Sequence, residues 1–395
     1  MTESHTATLS PFALSSKTLA PLLLPPRMRI LIANDKFKGS LSATEVAQAI
    51  ADGLPESSQI DLCPIADGGE GFTATMLAAL GGKWVDCDTV DALLRPVKAR
   101  YAITTTGLAV MEMASASGFE LIAEVDRDIL NSSTYGTGLM IRHAAKQQGV
   151  ERILIGIGGS ATNDGGVGMA DALGVLLLDS EEDPLPPSPA GLSKLAIIDR
   201  DQLIELPPID VACDVDNPVL GPNGATAVFG PQKGATPTDQ AFLEEFLTRL
   251  INLTGAQDLA NKPGAGAAGG LGFGLMHFLN ADLHPGFDLV SQALDLPSRI
   301  AQADLVITGE GSLDAQSLSG KGPVGIARLA NDLGKPIFAL AGHISSEVRT
   351  SGLFEQCAAL TDFDLPLENL MSDAASLLTR KVRELSDLLP LHEEG

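Results

Sequence analysis

A chain of 395 residues, 45% of them hydrophobic, can bury one or two sizeable cores, which excludes an intrinsically disordered protein. Its 50 acidic against 26 basic residues leave a net charge of −24 with no Lys/Arg cluster to offset it, which argues against nucleic acid as a partner. No apolar run reaches the ~18 residues of a membrane helix, and the scattered cysteines form neither a disulfide framework nor a zinc site.

The first 27 residues are rich in Ser, Thr and Pro, with one short apolar patch, Leu22-Leu23-Leu24. They read as a disordered leader, or as the product of a start placed too early, because Met28 opens a clean strand. That strand, over 30–33, runs into Asn34-Asp35-Lys36-Phe37-Lys38-Gly39-Ser40. Ser42 followed by Glu45 is a capping box, which predicts a helix over 43–52. A second strand over 60–65 leads to Asp67-Gly68-Gly69-Glu70-Gly71. The helix after it, over 72–80, is stopped by Gly81-Gly82.

Residues 84–113 change pattern. Three strand-like runs, 85–90, 97–103 and 108–113, are separated by turn signals and predict an antiparallel segment. The alternation then returns, with a helix over 138–148, a strand over 152–157 and a second glycine-rich loop ending in Asp164-Gly165-Gly166-Val167-Gly168. Residues 180–189 carry acids and prolines and read as an exposed loop. A short strand over 211–216 ends in carboxylates. The glycine-rich stretch 264–272 reads either as a linker or as a backbone-lined turn. Strands over 303–308 and 335–340 and a helix after 372 complete the chain. Strands alternating with helices predict a parallel sheet covered on both faces.

Four loops carry residues suited to phosphate chemistry. Lys36 and Lys38 stand between a strand and a helix N-terminus, where an anion is favoured. Asp67 and Glu70, three residues apart among glycines, can share Mg²⁺ or orient a hydroxyl. Gly156-Ile157-Gly158-Gly159-Ser160-Ala161 satisfies a dinucleotide fingerprint, with Asp179 downstream, and so admits an NAD(P)-dependent dehydrogenase. The glycines at 165, 166 and 168 oppose that reading, because they would break the helix such a fingerprint opens. A longer phosphate-cradling loop, with Ser160, Thr162 and Asn163 as donors, fits better. The strand over 303–308 delivers Glu310 and Asp314, followed by Lys321. Asp314 suits the base and Lys321 the charge partner of a phosphoryl transfer. These patterns admit a kinase, a phosphatase or a non-enzymatic nucleotide-binding regulator.

The ordered set of Asp35–Ser40, Ile65–Gly71, Gly156–Gly166, Cys213–Pro218, Phe229–Gly234 and Thr308–Asp314 resembles the type 1 glycerate kinases. The resemblance runs from Met28 to about residue 380, and departs from the family pattern at Lys36, where Ser is usual. It implies transfer of the γ-phosphate of ATP to D-glycerate with Mg²⁺, generally giving 2-phosphoglycerate. The implied fold is α/β. A flavodoxin-like domain over 66–286 is inserted into a Rossmann-like outer domain of 28–65 plus 287–395, with the active site in the interdomain cleft. The implied catalytic residues are Asp314, Asp67, Lys38 and Lys321. Substrate and phosphate contacts fall on Asp35, Lys36, Gly68, Gly69, Gly158, Gly159, Ser160, Asn163, Asp164 and Glu310. Asp214, Asp216 and Glu70 are the carboxylates for the metal. Both Asp-Gly-Gly loops are expected to face one cleft. A small-molecule substrate, a cytoplasmic setting, no membrane and an open question of homo-oligomer formation complete the expectation.

Overall fold

The computed structural model describes residues 28–66, 69, 71–315, 317–319 and 322–386. The leader, Asp67, Gly68, Glu70 and Lys321 lie outside the described residues. In chain order the strands are β1 (Arg29–Ile32), β2 (Gln59–Leu62), β3 (Gly82–Val90), β4 (Pro96–Thr104), β5 (Leu108–Glu112), β6 (Arg152–Gly156), β7 (Leu176–Leu178) and β8 (Ile197–Asp199). They continue with β9 (Ile209–Ala212), β10 (Asp282–His284), β11 (Leu305–Thr308), β12 (Ser312–Leu313), β13 (Ile337–Ala341), β14 (His343–Ile344) and β15 (Gln356–Ala359).

Two large sheets result. The first has the order β15-β13-β11-β1-β2 and is parallel throughout. The second has the order β10-β9-β6-β5-β4-β3, parallel from β10 to β5 and antiparallel beyond. The expected antiparallel segment is therefore the edge of a mixed sheet. The chain leaves the first sheet after β2 and returns to it at β11.

β1 shows why the first sheet is parallel. Ile30 and Ile32 pack on one face with Val46 and Ile50 of the helix Ala43–Ala51, and with Leu378 and Val382 of the helix Ala374–Ser386. Leu31 and the following Ala33 pack on the other face with Phe72, Met76, Ile300 and Ile326. A strand buried on both faces needs a continuous apolar run, which Met28–Ala33 nearly supplies. The second cluster also holds Val110, Leu154 and Ala212 from β5, β6 and β9. One apolar layer thus touches both sheets.

Local signals fix several boundaries. The capping box forms as expected, with Glu45 N donating to Ser42 Oγ at 3.3 Å and Ser42 N donating to Glu45 Oε2 at 2.8 Å. The helix Phe72–Leu80 matches its prediction. The helix expected over 138–148 begins earlier, at Tyr135, and ends at Ala145.

The stretch 264–272 is not a linker. It is almost wholly buried and enters the helix Ala267–Leu279 through three left-handed residues, Ala268, Gly269 and Gly270. Gly165 N donates to Gly269 O at 3.0 Å. A Cβ on Gly270 would lie 2.9 Å from Gly165 Cα, and one on Gly274 would lie 2.7 Å from Gly165 O. The two glycine-rich stretches pack backbone against backbone, an approach that side chains would block.

Gly269 combines φ +69° with a position where a Cβ would run into the Thr162 carbonyl oxygen. Gly255, which ends the helix Pro237–Thr254 at φ +63°, has open space around it. Gly269→Ala should therefore cost about 4 kcal/mol or more, through clash added to strain. Gly255→Ala should cost only about 1 kcal/mol, for the strained φ alone. Urea unfolding of both variants checks this; equal losses would remove the interlock as the cause.

Candidate active site

In the first sheet β1 continues to β2 on one side, while β11, β13 and β15 run out on the other. The switch point lies between β1 and β11, where doubly wound sheets hold ligands. The loops after these two strands are joined by a hydrogen bond from Asp35 N to Gly309 O at 2.8 Å. Gly309 is required there, because a Cβ would strike the Leu340 carbonyl oxygen. Asp35, Lys36, Lys38 and Glu310 line one groove of about 530 Å³ at this edge. Asp35 Oδ1 accepts from Lys36 N at 2.6 Å. Ser317 Oγ donates to Glu310 Oε1 at 2.9 Å, and Ser317 N donates to Asp314 Oδ1 at 3.2 Å. Glu310 and Asp314 are thereby held through one serine. Asn34 Oδ1 and Thr308 Oγ1, at the ends of β1 and β11, are buried with no hydrogen-bond partner among the described residues, an uncommon state for buried polar atoms.

The second sheet builds a smaller cavity, about 270 Å³, beyond β6 and β9. Gly158, Gly159, Ser160, Asp214 and Lys233 line it. Gly158 and Gly159 are exposed, and Gly159 has φ +71°. Lys233 is buried, with its Nζ donating to Ser160 Oγ at 2.6 Å and to Thr162 O at 2.7 Å. Burial pushes its pKa down to about 7, against the opposing pull of the Asp164 carboxylate. Asp214 Oδ1 accepts from Gly286 N at 3.0 Å, which ties this cavity to the helix Gly286–Ala293.

The two sites are neighbours. Gly69 lines the second-sheet cavity, and Gly71 lines a groove shared with Asp35, Lys36 and Lys38. At the carboxyl end of β5, Glu112 accepts from Thr73 N at 2.8 Å. Burial pushes the Glu112 carboxyl up, while hydrogen bonds from the Thr73 and Gly71 backbone and the charge of Lys36 oppose the shift. A loop of the first sheet and a strand end of the second therefore share one electrostatic environment.

The structure thus brings together Asp35, Lys36, Lys38, Glu310 and Asp314 at one place, and Gly69, Gly158, Gly159, Ser160 and Asp214 at the next. Asp216 is exposed, and among the described residues neither it nor Asp214 belongs to a cluster of three metal-ligating side chains. Such a cluster occurs at Asp210, Asp282 and His284, where Asp210 is already paired with Arg152 Nη2 at 2.8 Å. Lys233 and Glu112 were missed as site residues. Lys233 sits in the quoted Phe229–Gly234 stretch, but nothing in its spacing shows that it folds under Ser160. Glu112 had no signal beyond ending a strand.

The second Asp-Gly-Gly loop departs from expectation. Its Asp164 is fully buried, as is Asn163, whose Nδ2 donates to Thr226 Oγ1 at 2.9 Å. Neither lines the cavity. Asp164 Oδ2 accepts from Thr134 N and Thr134 Oγ1, both at 2.8 Å, and from Gly168 N at 3.2 Å, while Oδ1 accepts from Gly166 N at 3.1 Å. Burial raises its pKa and these donors lower it. Asp164 holds the loop from behind, and the residues ahead of it, 158–160, face the cavity. Ten residues separate Gly156 from the helix Val167–Ala172, which begins at left-handed Gly166. A dinucleotide fingerprint opens its helix at once, so the loop does not have that form.

Asp164→Ala should destabilise the fold by about 3–5 kcal/mol, because three backbone N–H groups lose their acceptor inside the protein. Asp164→Asn keeps one oxygen and should lose about 1–3 kcal/mol. Denaturant unfolding separates the two; an Ala variant as stable as the parent would show that the carboxylate does not brace the loop.

The chain's matches to known proteins agree with this geometry. The model of the glycerate kinase family matches residues 30–390. A glycerate kinase of Bacillus subtilis (strain 168) is 42% identical over 377 residues, which are 92% of this chain and 98% of that one. The glycerate 2-kinase of Escherichia coli (strain K12) is 43% identical, over 81% of this chain and 87% of its own. A crystal structure of a Salmonella typhimurium LT2 chain assigned as glycerate kinase 2 superposes with a TM-score of 0.82 at 41% identity, covering 92% of this chain and 98% of that chain. With its fold, its ordered loops and nearly its whole length matched in this way, the chain belongs to the glycerate kinase family.

Proposed function

We propose that the chain transfers the γ-phosphate of ATP to D-glycerate to give 2-phosphoglycerate. The reaction would take place in a cleft between an outer unit, residues 28–65 plus 287–395, and an inserted flavodoxin-like unit, residues 66–286. One observation carries the reading. Within one five-residue stretch, Gly69 lines the cavity of the second sheet, and Gly71 lines a groove that shares Asp35, Lys36 and Lys38 with the larger one at the end of the first. Two sites that face a shared loop suit two co-substrates that must meet in line.

In this reading the lysine-bearing cavity takes glycerate. Lys233 supplies the cation for its carboxylate, and the exposed backbone of Gly158 and Gly159 lets the anion approach closely. Lys38, exposed at the switch point, and the neighbouring Lys36 neutralise phosphate. Asp314, held by Ser317, is the base for the attacking hydroxyl, with Asp67 as its alternative and Lys321 as a further charge partner. Asp35 and Glu310 offer hard oxygen donors on the floor of the larger groove, a set that fits Mg²⁺, which needs only one or two carboxylates beside phosphate oxygens. When bound, the ion would neutralise charge on the transferring phosphoryl group. The four cysteines form no disulfide among the described residues, consistent with a reducing, cytoplasmic setting where ATP is available.

The product test is direct. Incubation with ATP, Mg²⁺ and D-glycerate should give 2-phosphoglycerate by ³¹P NMR, with ADP release strictly dependent on glycerate. Glycerate-independent ADP release, or none, would sink the reading. A second outcome follows from Lys233. Below about pH 7 its ammonium is the resting form, and anion binding needs no proton. Above it, each binding event takes one up, so the KM for D-glycerate should rise by about tenfold per pH unit at most. Lys233→Met should raise that KM and flatten its pH dependence. A KM in the parent that is flat from about pH 6 to about pH 9 would remove Lys233 from glycerate binding.

A further inference from the structure

Four loops follow the carboxyl ends of β1, β11, β13 and β15, and they meet the helix Leu367–Ser372 around the groove already described. One wall of that groove is apolar, formed by Phe37, Leu360, Leu367 and Met371. Its floor is polar, with Asp35, Lys38 and Glu310. Phe37 and Leu360 are buried at its base, but Leu367 is 68% exposed and Met371 40%, so among the described residues the outer part of this wall stays uncovered. The wall is also firmly attached. Ser40 Oγ donates to Met371 O at 2.6 Å, and a Cβ on Gly39 would lie 3.3 Å from Met371 Cε.

We propose that this groove is the nucleoside site, with the adenine of ATP against the exposed Leu367 and Met371 side chains and its phosphates at the β1–β11 switch point; this rests on the kinase reading. Glycerate has three carbons and almost no apolar surface, so an apolar wall contributes little to holding it. A purine has two flat apolar faces, and a triphosphate needs the cations that stand at the other end. Size sorts the ligands the same way. The groove, at about 530 Å³, is roughly twice the lysine-bearing cavity, at about 270 Å³. The location is also that of nucleotides in open parallel sheets, outside the strands where their order reverses.

The test places a charge in the wall. Met371→Asp should raise the KM for ATP and the Ki for ADP by about tenfold or more, because the base would have to bury a carboxylate. The KM for D-glycerate should stay within about twofold, and so should inhibition by inorganic tripolyphosphate, which has phosphates and no base. Leu367→Asp repeats the measurement should circular dichroism show that Met371→Asp does not fold. An unchanged KM for ATP in a folded variant overturns the proposal. So does a KM for glycerate that rises in step, which would make the groove the acid's site, or tripolyphosphate weakened as much as ADP. Failure of the kinase reading shows separately, as no glycerate-dependent ADP release from the unsubstituted chain. In that case calorimetry with ADP decides: binding to the parent and loss in the variant upholds the nucleoside site, and no binding to the parent overturns it.

Discussion

The close approach of two glycine-rich backbones is the constraint on which the second half of the molecule depends. Gly165 and Gly166 lie against Gly270 and Gly274, and Gly269 against Thr162, at distances no side chain would permit. That contact fixes the loop after β6 from one side, and Asp164 fixes it from the other with four accepted hydrogen bonds. Only a loop braced twice can present Gly158 and Gly159 to solvent while keeping Ser160 and Thr162 over a buried lysine. A lone ammonium in that position would be costly to bury. Its two short hydrogen bonds and the nearby carboxylate make the burial tolerable and leave its charge sensitive to what enters the cavity.

The first sheet works by a different principle. Its inner strands, β1, β11 and β13, are buried on both faces, and its polar groove lies at their carboxyl ends. The apolar layer of Leu31, Phe72, Val110 and Ile326 reaches strands of both sheets, so the two sets of loops share a common support. Glu112 marks the junction. It ends a strand of the second sheet, accepts from the start of the helix Phe72–Leu80, and responds to Lys36 at the end of β1.

Much of this was legible in the sequence, for physical reasons that differ by element. The capping box at Ser42 and the glycine stop after Leu80 are local, and the helices formed where local chemistry placed them. The apolar run from Met28 announced a strand, and the alternation of strands with helices announced a parallel sheet covered on both faces. What stayed hidden is what depends on distant partners. The low-complexity run 264–272 has the composition of a linker, and only the presence of Gly165 opposite makes it a buried turn. Asp164 and Asp67 share a local grammar, yet burial turned Asp164 inward to brace the loop. Lys233 lies 73 residues from the serine it contacts, and no periodicity connects them.

The chain departs from the first sheet after β2 and rejoins it at β11, so the β1–β11 neighbourhood joins residues 275 positions apart. That separation governs the order of assembly. Every strand of the second sheet lies within one continuous stretch and can pair as soon as it is made. β1 is synthesised before almost everything else, yet its inner neighbour does not exist until most of the chain has been translated. Until then its apolar faces have β2 and the helices Ala43–Ala51 and Phe72–Leu80 for cover but lack Ile300, Ile326 and Leu378, an exposure of the kind that chaperones shield. The switch point that positions Asp35 against Gly309 is thus among the last features of the fold that synthesis makes possible, and a chain truncated before β11 lacks it altogether.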